Sequence, residues 1–157
     1  MATINDAAAL RRAISTRITN RVGAGLLESG LPLGVSVEGA SRLNRAFRVV
    51  MEDEVDQGER VGGGVNATLR ILQRFDIELG HEGNPELGPT IWDQALEDQS
   101  AVQDALLRHV AGDDLATVQN TIEYLGMVKP TTPAGGMLRL ALLRFTVHYT
   151  HLLGGAA

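Results

Sequence analysis

The stretch Leu69-Arg70-Ile71-Leu72-Gln73-Arg74-Phe75-Asp76-Ile77-Glu78-Leu79 places Leu69, Ile71, Phe75, Ile77 and Leu79 on one parity. Arg70, Arg74, Asp76 and Glu78 fall on the other, with Leu72 and Gln73 as interruptions. Successive side chains of a strand point to opposite faces, so the pattern predicts a strand with one buried and one wet face. A one-residue slip would turn the apolar set into water, so its register is strongly specified. Upstream, Phe47, Val49 and Met51 alternate with Arg48, Val50 and Glu52, which predicts another strand from Ala46 to Val55. Between the two lies Gly58-Glu59-Arg60-Val61-Gly62-Gly63-Gly64-Val65-Asn66-Ala67-Thr68. A glycine-rich connection of about a dozen residues predicts a long-armed antiparallel hairpin rather than a tight turn.

Two helices flank this hairpin. From Asn5 or Asp6 to about Val22, Ala7, Leu10, Ile14 and Ile18 recur three or four apart, and Arg11, Arg12 and Arg17 are placed off that stripe. Gly23 and Gly25 come next as stop signals, and the Gly/Pro/Ser-rich stretch from Glu28 to Asn44 reads as an irregular connection. Pro89 suits a first helical position, and Trp92, Ala95, Leu96, Val102, Leu106 and Val110 repeat at helical spacing until Gly112. Ile122, Tyr124 and Val128 alternate in a strand between Asn120 and Val128. After a Pro/Gly turn, Ala141, Leu143, Phe145, Val147 and Tyr149 mark a long closing strand. Leu138, Leu140 and Leu142 make its first part apolar on both faces, which predicts cover on both. The expected architecture is one α+β domain over residues 1–157, an antiparallel or mixed four-stranded sheet with two amphipathic helices on one face.

Composition narrows the function. The chain has 157 residues and no cysteine, which removes disulfide frameworks, thiolate zinc sites and cysteine nucleophiles. The net charge is −5 and arginine far outnumbers lysine, whereas a chain gripping a phosphate backbone normally carries a basic surplus. Aromatic residues make up 4%, too few for a base-stacking platform. The first residues, MATINDAAALRRAIST, contain neither a signal-peptide core nor a membrane span, so a soluble, cytoplasmically made protein without membrane contact is expected. Asn66-Ala67-Thr68 matches a glycosylation acceptor that has no expected route to be used.

The motifs that carry chemistry are weak. A Walker loop needs lysine and a hydroxyl after its last glycine, to reach the terminal phosphates and to hold magnesium. Val65 and Asn66 stand there instead. A dinucleotide fingerprint lies between strand and helix, and this glycine run lies between two predicted strands. Glu52, Asp53, Glu54, Asp56 and Glu59 form an acidic cluster without the alternating ligands and fixed glycine of a calcium loop. His81, His109, His148 and His151 lack the helical spacing of a metalloprotease. None of Ser15, Ser29, Ser36, Ser41 and Ser100 sits in a small-residue elbow. No cofactor, metal site or catalytic set is therefore expected, and strand edges and loops point to assembly with copies of the chain.

The order of segments resembles the tail terminator family of long-tailed bacteriophages. The likeness is carried by ALRRAISTRI, AFRVVMEDEV, LRILQRFDIELGHE, IWDQALEDQSAVQDALLRHV, NTIEYLGMV and LRLALLRFTVHYTHL, and covers most of the chain. It implies a structural virion protein without an active site: a subunit of a hexameric ring on the head-proximal end of the tail tube. Such a ring ends tube polymerisation and offers a surface to a neck or head-completion protein, while DNA passes through without specific binding. The arm from Gly58 to Asn66 resembles the family's long loop, which implies that Arg60, Val61, Gly62, Gly63, Gly64 and Val65 contact the tube protein or a neighbouring subunit. A ring that lets DNA slide should repel phosphate, and six copies at −5 each sum to about −30 before counterions. Glu52, Asp53, Glu54, Asp56 and Glu59 are the candidate acidic lining. Two other readings stay open, a head-completion or baseplate adaptor ring, and a small hydrolase using Asp or Glu with His81 or His109.

Overall fold

The computed structural model describes residues 3–23, 25–30, 33, 45–61, 68–82, 90–131 and 138–152. Helix α1 spans Ala7–Val22, β1 Leu27–Glu28, β2 Arg45–Val61, β3 Thr68–Glu82, α2 Thr90–Leu107, β4 Glu123–Thr131 and β5 Leu138–Leu152. Two 3₁₀ turns, Asp114–Thr117 and Gln119–Thr121, separate α2 from β4. The sheet runs β1-β2-β3-β5-β4, antiparallel throughout except for the parallel β1–β2 pair. The α+β class matches expectation, but the strands number five rather than four. The extra strand is the two-residue β1, inside the stretch read as irregular: Leu27 and Glu28 pair with Ala46 and Phe47, and Ser29 N–H donates to Phe47 O at 2.8 Å. Two residues are too few to leave a periodic signal.

The parity of β3 organises the interior. Ile71, Phe75, Ile77 and Leu79 are buried and face, across the register, Tyr149, Phe145, Leu143 and Ala141 of β5. Phe75 and Phe145 stack with ring centroids 5.3 Å apart, and Tyr124 of β4 joins Phe145 at 5.1 Å. Phe47 and Val49 extend this face onto β2, and Leu10, Ile14 and Ile18 of α1 with Val102 and Leu106 of α2 cover it. At β5's start Leu138 is buried, whereas Leu140 and Leu142 are only half-buried. The double cover expected there is partial.

Helix α1 begins where Asp6 caps it, its carboxylate accepting from Ala9 N–H at 2.7 Å. Arg17 corrects the sequence expectation, because it lies wholly inside the fold rather than off the apolar stripe. Its guanidinium forms an ion pair with Asp113 and donates to Ala105 O at 3.0 Å and Val110 O at 3.4 Å. These carbonyls belong to the last turn of α2 and the residues after it, which lack helical partners. Gln119 does the same work, accepting from Val110 N–H at 3.1 Å and donating to Arg108 O. Side chains distant in sequence therefore end α2 at Leu107, short of Gly112, and Val110 lies beyond the helix. On α2, Ala95, Val102 and Leu106 are buried as expected, Trp92 is half-buried, Leu96 is exposed, and the buried stripe includes Asp98.

Phe145→Ala, which removes the ring stacked on Phe75 and touching Tyr124, is expected to cost about 3–5 kcal/mol in urea unfolding. A loss below about 1 kcal/mol would show that this layer is not the core.

Candidate functional site

Arg45, His81 and Arg139 stand in one row across β2, β3 and β5, paired Arg45 with His81 and His81 with Arg139. Asp98 reaches the first two from α2. Arg45 Nε and a terminal nitrogen donate to its two carboxylate oxygens at 3.0 and 2.6 Å, and His81 Nε2 lies 2.7 Å from Oδ2. Gln94, one helical turn earlier, adds a bond at 3.1 Å. His81 and Asp98 are only 1% and 3% exposed. Burial opposes charge on Asp98, yet hydrogen bonds from Arg45 and His81 outweigh it and hold the carboxyl below its ordinary value. Burial also lowers the pKa of His81, against the pull of Asp98. The hydrogen bond to Asp98 raises that of Arg45. A His–Asp pair has the parts of a general base, but here the ring is sealed under α2, and the arrangement fastens a helix to two strands.

The acidic stretch lies on β2, where Glu52, Asp53, Glu54 and Asp56 are exposed. Its strand is not regular. Met51 pairs with Phe75 and Glu54 with Gln73, so two β2 residues stand against Arg74 alone. This bulge reverses the parity of the residues beyond it, aligning Glu54 and Asp56 with the inward Gln73 and Ile71, while Val55 aligns with the outward Leu72. Gln73, buried within an apolar row, donates to Glu52 O at 2.9 Å and Arg74 O at 2.8 Å and so satisfies backbone left over by the irregularity. The polar residue that interrupts the β3 pattern is thus explained. Tyr149 OH bonds Glu54 at 3.4 Å, and burial together with that carboxylate pushes its phenol up to about 12. Glu52 instead adjoins the buried Asp76 on the other face, whose pKa is raised by burial and then by Glu52. The acidic residues therefore divide between two faces.

The expected arm is shorter than about a dozen residues. Glu59, Arg60 and Val61 belong to strand β2, where Arg60 pairs with Leu69 and Val61 with Thr68. Gly62, Gly63, Gly64 and Val65 lie outside the described residues. Strand formation reaches this far because β3 is held on its other side by β5 along its whole length, Thr68 opposite Leu152.

The edges of the sheet are the features that sequence periodicity missed. Along β2, among the described residues, β1 covers only Ala46 and Phe47. At the opposite edge, β4 carries two register shifts, after Tyr124 and after Val128, with Gly126 at φ +113°. Leu125, the extra residue of the first shift, is 55% exposed, and Met127 is also exposed. Across the sheet, Leu27 is 52% exposed and Val55 is exposed too. On β4 the exposed pair follows the alternation of Tyr124 and Val128 on the opposite parity, whereas Val55 was hidden because the bulge before it turns it outward without changing composition.

A cleft of about 700 Å³ opens where β3 begins and β5 ends, lined by Thr68, Arg70, Thr121, His148 and Thr150 among others. Thr121 Oγ1 accepts from His148 N–H at 3.0 Å, tying the second 3₁₀ turn to β5. Among the described residues no group of three or more histidines and carboxylates is placed to hold a metal, and no helix is long and apolar enough to cross a membrane.

No family model matches the chain, and no curated protein matches it. Among solved structures it is similar to a chain from the virion of a native gene transfer agent particle, with 15% identity and a TM-score of 0.46. The similarity covers 88% of this chain and 92% of that one.

The pKa directions set the response to acid. Folded His81 binds its proton less readily than in the unfolded chain, so below the ordinary value of 6.5 the unfolded state holds more protons and stability falls as pH drops. Asp98 and Asp113 have lowered values, so their contribution holds above the ordinary 3.8 and disappears as pH falls through the folded values. Urea midpoints are expected to decline from pH 7 to 5, and His81→Phe to flatten that decline. Wild-type midpoints constant or rising over this interval would contradict the placement of His81.

Proposed function

We propose that the chain is a non-enzymatic structural subunit of a phage-type virion, forming a ring that caps the head-proximal end of the tail tube. The observation that carries this reading is the exposure of large apolar side chains at two opposite sheet edges, Leu125 and Met127 on β4 and Leu27 and Val55 beside and on β2. Two different patches on opposite sides suit a head-to-tail contact between identical copies, which closes into a ring when the rotation per copy allows. The bulges in both edges disfavour indiscriminate strand pairing, so the contact is made by side chains in a defined geometry.

Within this proposal the ring is hexameric, as the resemblance to tail terminators implies. Arg60, Val61 and the neighbouring residues to Val65 meet the tube protein or the next subunit. Carboxylates on one of the two faces of the acidic stretch from Glu52 to Glu59 line the hole, where a negative field keeps DNA from adhering as it slides. The opposite rim docks a neck or head-completion protein. Capping then means complementarity to the last tube ring on one side and mismatch to a further ring on the other. The sealed His81–Asp98 pair serves as a fastener, which supports a structural rather than a hydrolytic role.

Leu125→Lys is the direct test. Its side chain is mostly in water, so the free chain should unfold within about 0.5 kcal/mol of wild type. Sedimentation is expected to show wild type as a discrete multi-subunit species that binds phage tail tubes, and the variant as a monomer that does not. A variant that assembles and binds tubes like wild type would remove this edge from the proposal.

A further inference from the structure

Strand β1 stops after two residues and leaves the rest of its lane beside β2 open. Ser29 N–H donates to Phe47 O at 2.8 Å, so Phe47 turns its backbone toward β1's side of the sheet. Backbone groups along a strand alternate between its two sides, so Val49 and Met51 turn N–H and C=O the same way. Among the described residues no strand and no backbone bond meets them there. The chain that follows β1 does not take the lane. Leu33 lies over Gly80, the partner of Ala46, where an added Cβ would stand 3.1 Å from Leu33 Cδ1. By Leu33 the chain has therefore crossed to the outer face of the sheet, away from Val49 and Met51. A cleft of about 660 Å³ runs along the vacated lane, lined by Arg11, Glu28, Arg48, Val49, Val50 and Met51 among others. The bulge after Met51 ends the regular edge, so the open stretch is Arg48 to Met51.

We propose that this groove binds an extended peptide segment of a partner protein, added to β2 as a strand in β1's lane, with a carboxylate seated on Arg48. A row of unpaired backbone groups is met best by another extended backbone, which supplies affinity while side chains on alternate parities supply selection. Of the two cations in the groove, Arg11 is committed to Glu28 at 3.0 Å, and Ser15 Oγ donates to the other oxygen of that carboxylate. Arg48 is half-buried and stands opposite Glu78 on β3, but makes no ion pair among the described residues. Its side chain shares the outer parity of β2 with Val50. A segment paired here puts every second side chain on that same face, where an aspartate or glutamate beside Arg48 comes within reach of the guanidinium fork. On the inner parity the segment meets the closed Arg11–Glu28 pair, which favours an uncharged side chain. None of Leu27, Val55, Leu125 and Met127 lines the groove, so the inference goes beyond the ring reading and does not rest on it.

The probe is a dye-labelled hexapeptide of alternating valine and glutamate, with its valine–lysine counterpart as control. Both are titrated into the full-length protein by fluorescence anisotropy, and hydrogen exchange is followed by mass spectrometry. The glutamate peptide should bind saturably, at least about fivefold more tightly than the lysine peptide, and should slow exchange in the segment from Arg48 to Met51. Arg48→Gln should weaken that binding about fivefold and remove most of its salt dependence, while Arg48→Lys, which keeps the charge, should retain most of the affinity. The wild-type exchange pattern and the two-peptide comparison decide the matter even if the glutamine variant does not fold. Absence of saturable binding, equal affinity for the lysine peptide, or protection confined to β4 would each overturn the inference. Sedimentation of the same samples separates it from the ring reading, since Arg48→Gln should leave self-association as in wild type. Self-association lost in Arg48→Gln would give the groove to a second copy and overturn the proposed partner.

Discussion

The register of β3 against β5 is the constraint on which the rest of the structure depends. Fifteen consecutive pairs, from Thr68–Leu152 to Glu82–Leu138, bring Ile71, Phe75, Ile77 and Leu79 to one face with Tyr149, Phe145, Leu143 and Ala141. Because side-chain direction has period two, this register either buries the whole row or none of it. Given that row, β2 and β4 add on either side and the two helices have a single apolar floor to cover. The irregularities then collect in β2 and β4, whose outer sides are the least constrained by pairing.

Buried charge supplies what apolar area cannot, namely the location of each joint. Arg17 inside α1 meets Asp113 and the carbonyls that end α2, and Asp98 inside α2 meets Arg45 and His81 on two strands. An apolar replacement of similar volume can match such a cluster in stability, yet it would not specify where the helix stops or which strand row it crosses. Each cluster joins segments far apart in sequence. The fold thus has a general floor set by alternation and two specific fastenings set by ion pairs.

Legibility in the sequence tracked the range of the interactions. Short-range periodicity disclosed α1, β3, β5 and the central part of β2, because each writes its burial into its own residues. The end of α2 was hidden because Arg17 and Gln119 determine it from outside. The helix-facing role of Asp98 was hidden because its partners lie 53 and 17 residues away. β1 has only two residues, and the bulge at Glu52 and Asp53 becomes visible only once Gln73 is seen bonding the displaced carbonyl. Of the candidate site, the acidic run was readable as composition. Its division between two faces was not, since one extra residue reverses parity without altering the run.

In the proposed role, exposed apolar edges are parts of a surface that is complete only beside another copy. An enzyme concentrates its unusual groups in one accessible pocket. Here His81 and Asp98 are sealed beneath a helix, and the exposed apolar side chains Leu125, Met127, Leu27 and Val55 stand at the margins of the sheet. Electron micrographs of the purified chain, with particles averaged in projection, test this most directly. The account predicts closed rings of identical subunits around a central hole, and fields of single compact particles at concentrations well above those of assembly in a cell would contradict it.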